Sequence, residues 1–180
     1  MGYAEASQII HAPIEKVWNT LNDIDNTSKW VVGLEKAEIK TVGKFGKDSV
    51  YTDYNRLGPI PQITDWRVAE FEPMSRQVHM SNSEGLPSTM TLSLSSISEG
   101  TLLKMTVDYQ FMPHWGVISR VFEGVVMNHM LKSVLKQNMS HLDSYLQKNA
   151  RHKRVTDTRP EMPTLKLRRK EWSGEYERVE

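Results

Sequence analysis

The chain has 180 residues, of which 38% are hydrophobic and 25% charged, and it carries 23 basic against 22 acidic side chains. That length and composition fit one globular domain with a sizeable core and leave no room for a second full domain. A formal charge of +1 excludes an overall pull toward nucleic acid or anionic lipid, and the lack of cysteine excludes disulfides, thiolate catalysis and cysteine-bound metal.

In chain order, the first expected element is a strand over about residues 3–11. HAPIEKVWNTLNDID (11–25) follows with a helix signal. Pro13 suits a first turn, and Glu15 sets negative charge near the positive helix end. Ile14, Val17, Trp18 and Leu21 recur at i, i+3, i+4 and i+7 as one apolar face. Asp23 and Asp25 are candidate caps for a second short helix ending near Trp30.

From residue 34 to about 112, six β-rich runs are separated by short turn signals, which predicts an antiparallel meander. Met90, Leu92 and Leu94 share one face of their strand; Leu103, Met105, Val107, Tyr109 and Phe111 share one face of the next. VGKFGKDS has two residues where a phosphate loop needs four, and Asp48 where Ser or Thr should follow the lysine, so it reads as a hairpin turn. After Pro113 about 33 residues without proline form a helix, whose stripe holds Val117, Val121, Gly124, Asn128, Leu131, Leu135, Asn138, Leu142 and Leu146. Residues 148–180 lose this period and hold 10 basic against 6 acidic side chains, where residues 1–147 hold 13 against 16. The expected organisation is therefore a domain over 1–147 and a charged, net basic tail over 148–180, read as solvated.

Several chemistries lack their motifs. GxSxG, HExxH and EF-hand patterns are absent, and none of the six histidines is paired at i, i+4, so no metal site and no cofactor are expected. No apolar run reaches the roughly 18 residues of a membrane span, and MGYAEASQII has neither a basic start nor an apolar stretch. The expectation is a soluble cytoplasmic protein with no membrane span and no nucleic-acid partner.

IIHAPIEKVWNTLNDI (9–24), the later Trp30, WRVAEFEP (66–73) and the long last helix together resemble the START-like SRPBCC superfamily, within it the polyketide cyclase/dehydrase and lipid-transport group. The resemblance covers about residues 3–147. It implies an α+β helix-grip fold: a curved antiparallel sheet of about seven strands wrapped round a long C-terminal helix, with two short helices after the first strand. It also implies a mostly apolar pocket between helix and sheet. In aromatase/cyclases of the group an arginine on the middle strands orients a poly-ketone chain. Here that position falls near Ala69, with Arg67 two residues earlier on the same side of the strand.

On this template the candidate ligand-binding residues are Trp30, Arg67, Met90, Leu92, Met105, Val107, Tyr109, Phe122, Val125 and Asn128, and the catalytic candidates are Arg67 and His129. Parity on the strand leaves two readings open, with either Asp65 and Arg67 or Thr64, Trp66 and Val68 facing inward. Asn128 lies on the helical stripe with His129 one step round, and His79, between Val78 and Met80, is expected to turn outward. Three functions follow. The first is binding of an apolar or aromatic small molecule, the second a polyketide cyclase/aromatase-type enzyme. The third is an interaction module with a vestigial pocket, in which a sheet edge or the basic tail binds a protein partner; the weakly alternating TLKLRR suits pairing with a sheet edge of its own or of a neighbouring chain, which allows a homodimer through a sheet edge or the tail.

Overall fold

In β1 (Gly2–Ile10) Ala4, Ala6 and Ile10 are buried while Tyr3, Ser7 and Ile9 are exposed, so one face of the first strand is committed to a core. The structure, a computed structural model, describes the backbone of residues 2–57, 60–81, 87–110 and 117–157, and their side chains except those of 56, 57, 60, 117–127 and 152–157. The tail beyond 157, TLKLRR and Phe111 lie outside the described residues.

α1 (Ile14–Leu21) begins after Pro13, whose carbonyl accepts from the Lys16 and Val17 N–H groups at 3.0 and 3.2 Å. It buries Val17, Trp18 and Leu21, three of the four residues of its apolar face. The second short helix is of the tighter 3₁₀ kind (Ile24–Lys29). The Asp23 carboxylate before it accepts from the Asn26 side-chain amide at 2.9 and 3.0 Å.

The meander follows as β2 (Leu34–Ile39), β3 (Val50–Leu57), β4 (Ile60–Glu72), β5 (Arg76–Ser81), β6 (Ser88–Ile97) and β7 (Gly100–Tyr109). All neighbours are antiparallel, in the order β1-β7-β6-β5-β4-β3-β2. Because β1 and β2 form the two edges, the sheet is open and less strongly curled than the wrapped sheet expected from sequence. The β6–β7 turn needs glycine: Gly100 has φ +139°, and a Cβ there would run into the Ile10 carbonyl.

α2 (Val117–Asp157) covers one face of this sheet and runs ten residues past the expected boundary at 147. Its buried residues Leu135, Met139, Leu142 and Leu146 pack with Ala4, Ala6, Val17, Trp18, Leu92, Leu94, Leu103 and Met105. The helix runs along β1, where the two alanines leave space for it. Polar contacts fix its position. Asp143 accepts the His11 backbone N–H at 2.8 Å and faces its ring Nδ1 at 3.0 Å, and the Gln147 amide donates to the His11 carbonyl. Asn138, buried on the apolar stripe, accepts the Val32 N–H at 2.9 Å. A second, smaller core joins Ile24, Leu34, Ala37, Tyr51 and Val68, with Phe45, Trp66 and Phe71 against them.

Leu142 is fully buried where helix meets sheet, whereas Leu102 is 38% exposed. Leu142→Ala is expected to cost about 2–5 kcal/mol in urea denaturation, and Leu102→Ala less than about 1 kcal/mol.

Candidate functional site

Cross-strand register carries the helix-facing side of the sheet from apolar to polar. One row across β1, β7, β6, β5 and β4 reads Ala4, Val107, Met90, His79, Val68; the adjacent row reads Ala6, Met105, Leu92, Gln77, Phe71. Further along, Tyr51 of β3 lies opposite Trp66 and Asp53 opposite Thr64, on the same side as Val68 because side chains alternate. The β1, β7 and β6 end is thus an aliphatic wall. The β5, β4 and β3 end places Gln77, His79, Ser81, Trp66, Tyr51 and Asp53 on that same face.

Gln77, His79, Ser81 and Tyr51 are deeply placed, whereas Asp53 and Trp66 are half-buried. Gln77 is 0% exposed, His79 2% and Tyr51 4%. The Tyr51 hydroxyl lies 2.7 Å from His79 Nδ1. Neither end of the Gln77 amide, nor His79 Nε2, Trp66 Nε1 or Asp53 Oδ1, has a hydrogen-bond partner among the described residues. A native interior rarely tolerates several such atoms together, since each costs about 1–3 kcal/mol in lost hydration.

Aromatic rings close the cluster. Phe45, from the loop between β2 and β3, stands 6.1 Å from Tyr51, 6.1 Å from Phe71 and 6.3 Å from His79 (ring centroids), and Phe71 packs 5.0 Å from Trp18 of α1. The loop is seated by backbone bonds to β4: Asp48 N–H to the Val68 carbonyl at 2.8 Å and Val68 N–H to the Ser49 carbonyl at 2.9 Å. Beside Ser81, a cleft of about 140 Å³ opens between Met80, Pro87, Ser88, Asp108 and Tyr109.

Burial sets the protonation of this group. It pushes the Asp53 carboxyl up to about 7, the nearby Trp66 indole N–H holding the rise back without a hydrogen bond of ordinary geometry. Burial also lowers His79 to about 4, so its imidazole is neutral near pH 7. The Tyr51 phenol is raised well above its ordinary value, first by burial and then by the Asp53 charge.

The sequence-predicted residues divide. Leu92, Met105 and Tyr109 are buried on the helix-facing side and Met90 and Val107 half-buried there. The Tyr109 ring lies so close over Gly2 that a Cβ at Gly2 would collide with it. Trp30 is 5% exposed in the main core, its indole N–H without a partner among the described residues.

Three expectations need correction. Arg67 faces away: its side chain is 67% exposed and bonds Asp48 at 2.7 Å, because Val68, fully buried, takes the inward parity on β4. Asn128 and His129 are exposed, since burial along α2 begins only at Leu131 among the described side chains. His79 is buried rather than outward. The side chains of Phe122 and Val125 lie outside the described ones.

Sequence reasoning missed Gln77, Tyr51, Asp53 and Trp66. The signal was present in RQVHMS, where Gln77, His79 and Ser81 alternate with Val78 and Met80, but the polar set, not the apolar one, takes the helix-facing side. Among the described residues no three His, Asp or Glu side chains converge as a metal would require, and no helix is long and apolar enough to cross a membrane.

Known proteins share the architecture of this chain. A family profile described as polyketide cyclase/dehydrase and lipid transport matches residues 1–147. No curated protein matches the sequence. Among solved structures, MLL2253 from Mesorhizobium loti is similar at 18% identity and TM-score 0.62, over 81% of this chain and 97% of that one. TTHA0849 from Thermus thermophilus is similar at 19% identity and TM-score 0.61, over 79% and 98%. StfQ, a di-domain ARO/CYC from the steffimycin biosynthetic pathway, is similar at 10% identity and TM-score 0.69, over 82% of this chain and 51% of that one. At these identities the likeness is one of fold.

The two shifted groups give a pH signature in stability. Asp53 is raised from 3.8 to about 7, so folding takes up a proton in that window and stability falls as pH rises through it. His79 is lowered from 6.5 to about 4, so there stability rises with pH. Each slope is at most about 1.4 kcal/mol per pH unit. The two oppose one another between about 4 and 6.5, which predicts a nearly flat profile for these two groups together. Urea denaturation across that range should show stability rising with pH in Asp53→Asn and falling with pH in His79→Gln.

Proposed function

The chain belongs to the polyketide cyclase/dehydrase and lipid transport family, whose profile spans residues 1–147, and from that premise we propose that it binds an apolar or aromatic small molecule between α2 and the helix-facing side of its sheet. The observation that carries this reading is the graded face itself. An aliphatic wall of Ala4, Ala6, Met105, Leu92 and Val107 runs into a ring-lined end where the buried Gln77 and His79 keep hydrogen-bonding atoms without a partner among the described residues. Ligand sites have this composition: mostly apolar, with a few polar groups that fix orientation. The cleft of about 140 Å³ beside Ser81 lies at the ends of β5, β6 and β7, where Ser81, Ser88 and Tyr109 of the helix-facing side meet Met80, Thr89 and Asp108 of the other side.

A second reading, a cyclase/aromatase-type enzyme, is favoured by one observation. Asp53, with its proton affinity near 7, stands two residues from Tyr51, which bonds the neutral His79. A carboxyl poised near neutrality suits removal of a proton beside a carbonyl, and a neutral imidazole suits donation to the enol oxygen. The fold likeness to the ARO/CYC protein StfQ is compatible with it. On this reading the proton-moving groups are Asp53 and His79, in place of Arg67 and His129, whose side chains are exposed.

Native mass spectrometry of the full chain, purified gently, is expected to show a co-purified small molecule that leaves on denaturation. Arg67→Ala and His129→Ala should keep affinity for it within tenfold, about 1.4 kcal/mol. A tenfold or larger loss in either variant, or a ligand-free mass throughout, counts against the binding site placed here. If the protein is an enzyme, Asp53→Asn should abolish turnover and retain binding.

A further inference from the structure

The atoms left unmet on the helix-facing side are unusual in their charge. Gln77 offers an amide donor and an amide acceptor, both buried and both without a partner among the described residues. His79 offers one more atom, Nε2. Its role follows from Tyr51. If the Tyr51 hydroxyl donates to Nδ1, one donor, Nε2–H, is left over. If Nδ1–H donates instead, both the phenol hydrogen and Nε2 are stranded. The first arrangement leaves fewer buried atoms unpaired, so Tyr51 holds His79 as a donor at Nε2. Gln77 and His79 are i, i+2 on β5, which sets their side chains about 7 Å apart on one face.

Among the described residues, the paired cations of the strands lie on the other side. Lys36 and Lys40 pair with Glu38, Arg67 with Asp48, Arg76 with Glu70 and Lys104 with Glu5. Alternation puts those on β4 to β7 opposite the helix-facing residues, as Lys104 between Leu103 and Met105 shows. Among the described residues the one ionisable acid of the helix-facing cluster is Asp53, which repels an anion when charged. Burying a carboxylate without a cation costs far more than burying a neutral polar group, whereas a carbonyl or hydroxyl needs only the hydrogen bonds that Gln77 and His79 hold ready.

We propose that Gln77 and His79, the latter positioned by Tyr51, form an uncharged recognition platform that selects an aromatic ligand bearing a neutral carbonyl or hydroxyl over one bearing a carboxylate. This rests on the ligand-binding reading above and adds to it the polarity of the ligand and the residues that read it. A fatty acid or aryl carboxylate is rejected by the same face that accepts an aryl ketone of equal size.

The test compares two probes of matched shape, 2-acetonaphthone and 2-naphthoate, by isothermal titration calorimetry on the full chain at pH 6, where Asp53 and His79 are both uncharged. The ketone is expected to bind at least tenfold more tightly. Gln77→Leu and His79→Phe, each checked for an unchanged circular-dichroism spectrum, should weaken the ketone at least fivefold and leave the naphthoate unaltered. The comparison on the unaltered protein stands by itself if either variant fails to fold. Equal or tighter binding of the naphthoate overturns this inference and leaves the ligand-binding reading intact, as does ketone affinity unmoved in both variants. Binding of neither probe overturns both.

Discussion

An antiparallel sheet with a side-chain period of two must cover one of its faces, and in this protein every other feature follows from how that covering is done. α2 and α1 lie on the face that carries Ala6, Leu92, Leu103 and Met105, and the main core forms there. The helix is not held by apolar contact alone. His11, at the exit of β1, donates its N–H to Asp143 of α2 and accepts the Gln147 amide at its carbonyl, while Asn138 accepts the Val32 N–H. Those bonds tie both ends of the α1 and 3₁₀ segment to one helix. They set where along the sheet the aliphatic packing stops.

Where it stops, chemistry begins. The strands nearest β1 present alanine, leucine and methionine to α2; the strands nearest β2 present glutamine, histidine, tyrosine, aspartate and tryptophan on the same side. Burial is common to both halves, so the polar half carries an energetic cost that the apolar half does not. The consequences are visible in one place: an imidazole held neutral, a carboxyl held near neutrality, and an amide with neither end met among the described residues. Phe45 shows how local this is. A loop that reads in sequence as a simple hairpin turn delivers a ring against Tyr51, Phe71 and His79, and so forms part of the wall.

The fold was largely legible in the sequence because it depends on local patterns. Ile14, Val17, Trp18 and Leu21 mark α1 by their spacing, and the alternations of β6 and β7 give the faces that the structure shows. The candidate site was legible only in part. Met90, Leu92, Met105, Val107 and Tyr109 were legible as one face because they are apolar and alternate, and that face is the helix-facing one, but Arg67 was placed by analogy and Val68 holds the inward position. The β-bulge between Val68 and Glu70 shifts register at that point, which no count of residues from the Glu72 turn can foresee.

Sequence by itself determined the order of elements, the apolar faces and the lack of cysteine chemistry, since these rest on spacing and residue type within a few turns or strands. Only the tertiary structure decided that His79 is buried beside Tyr51 rather than solvated, and that Gln77 shares its face. A polar residue flanked by apolar ones is compatible with either side of a strand, and the choice is made by the neighbours across the sheet. Those neighbours, Met90, Val68 and Phe71, come from strands that the chain brings together only on folding.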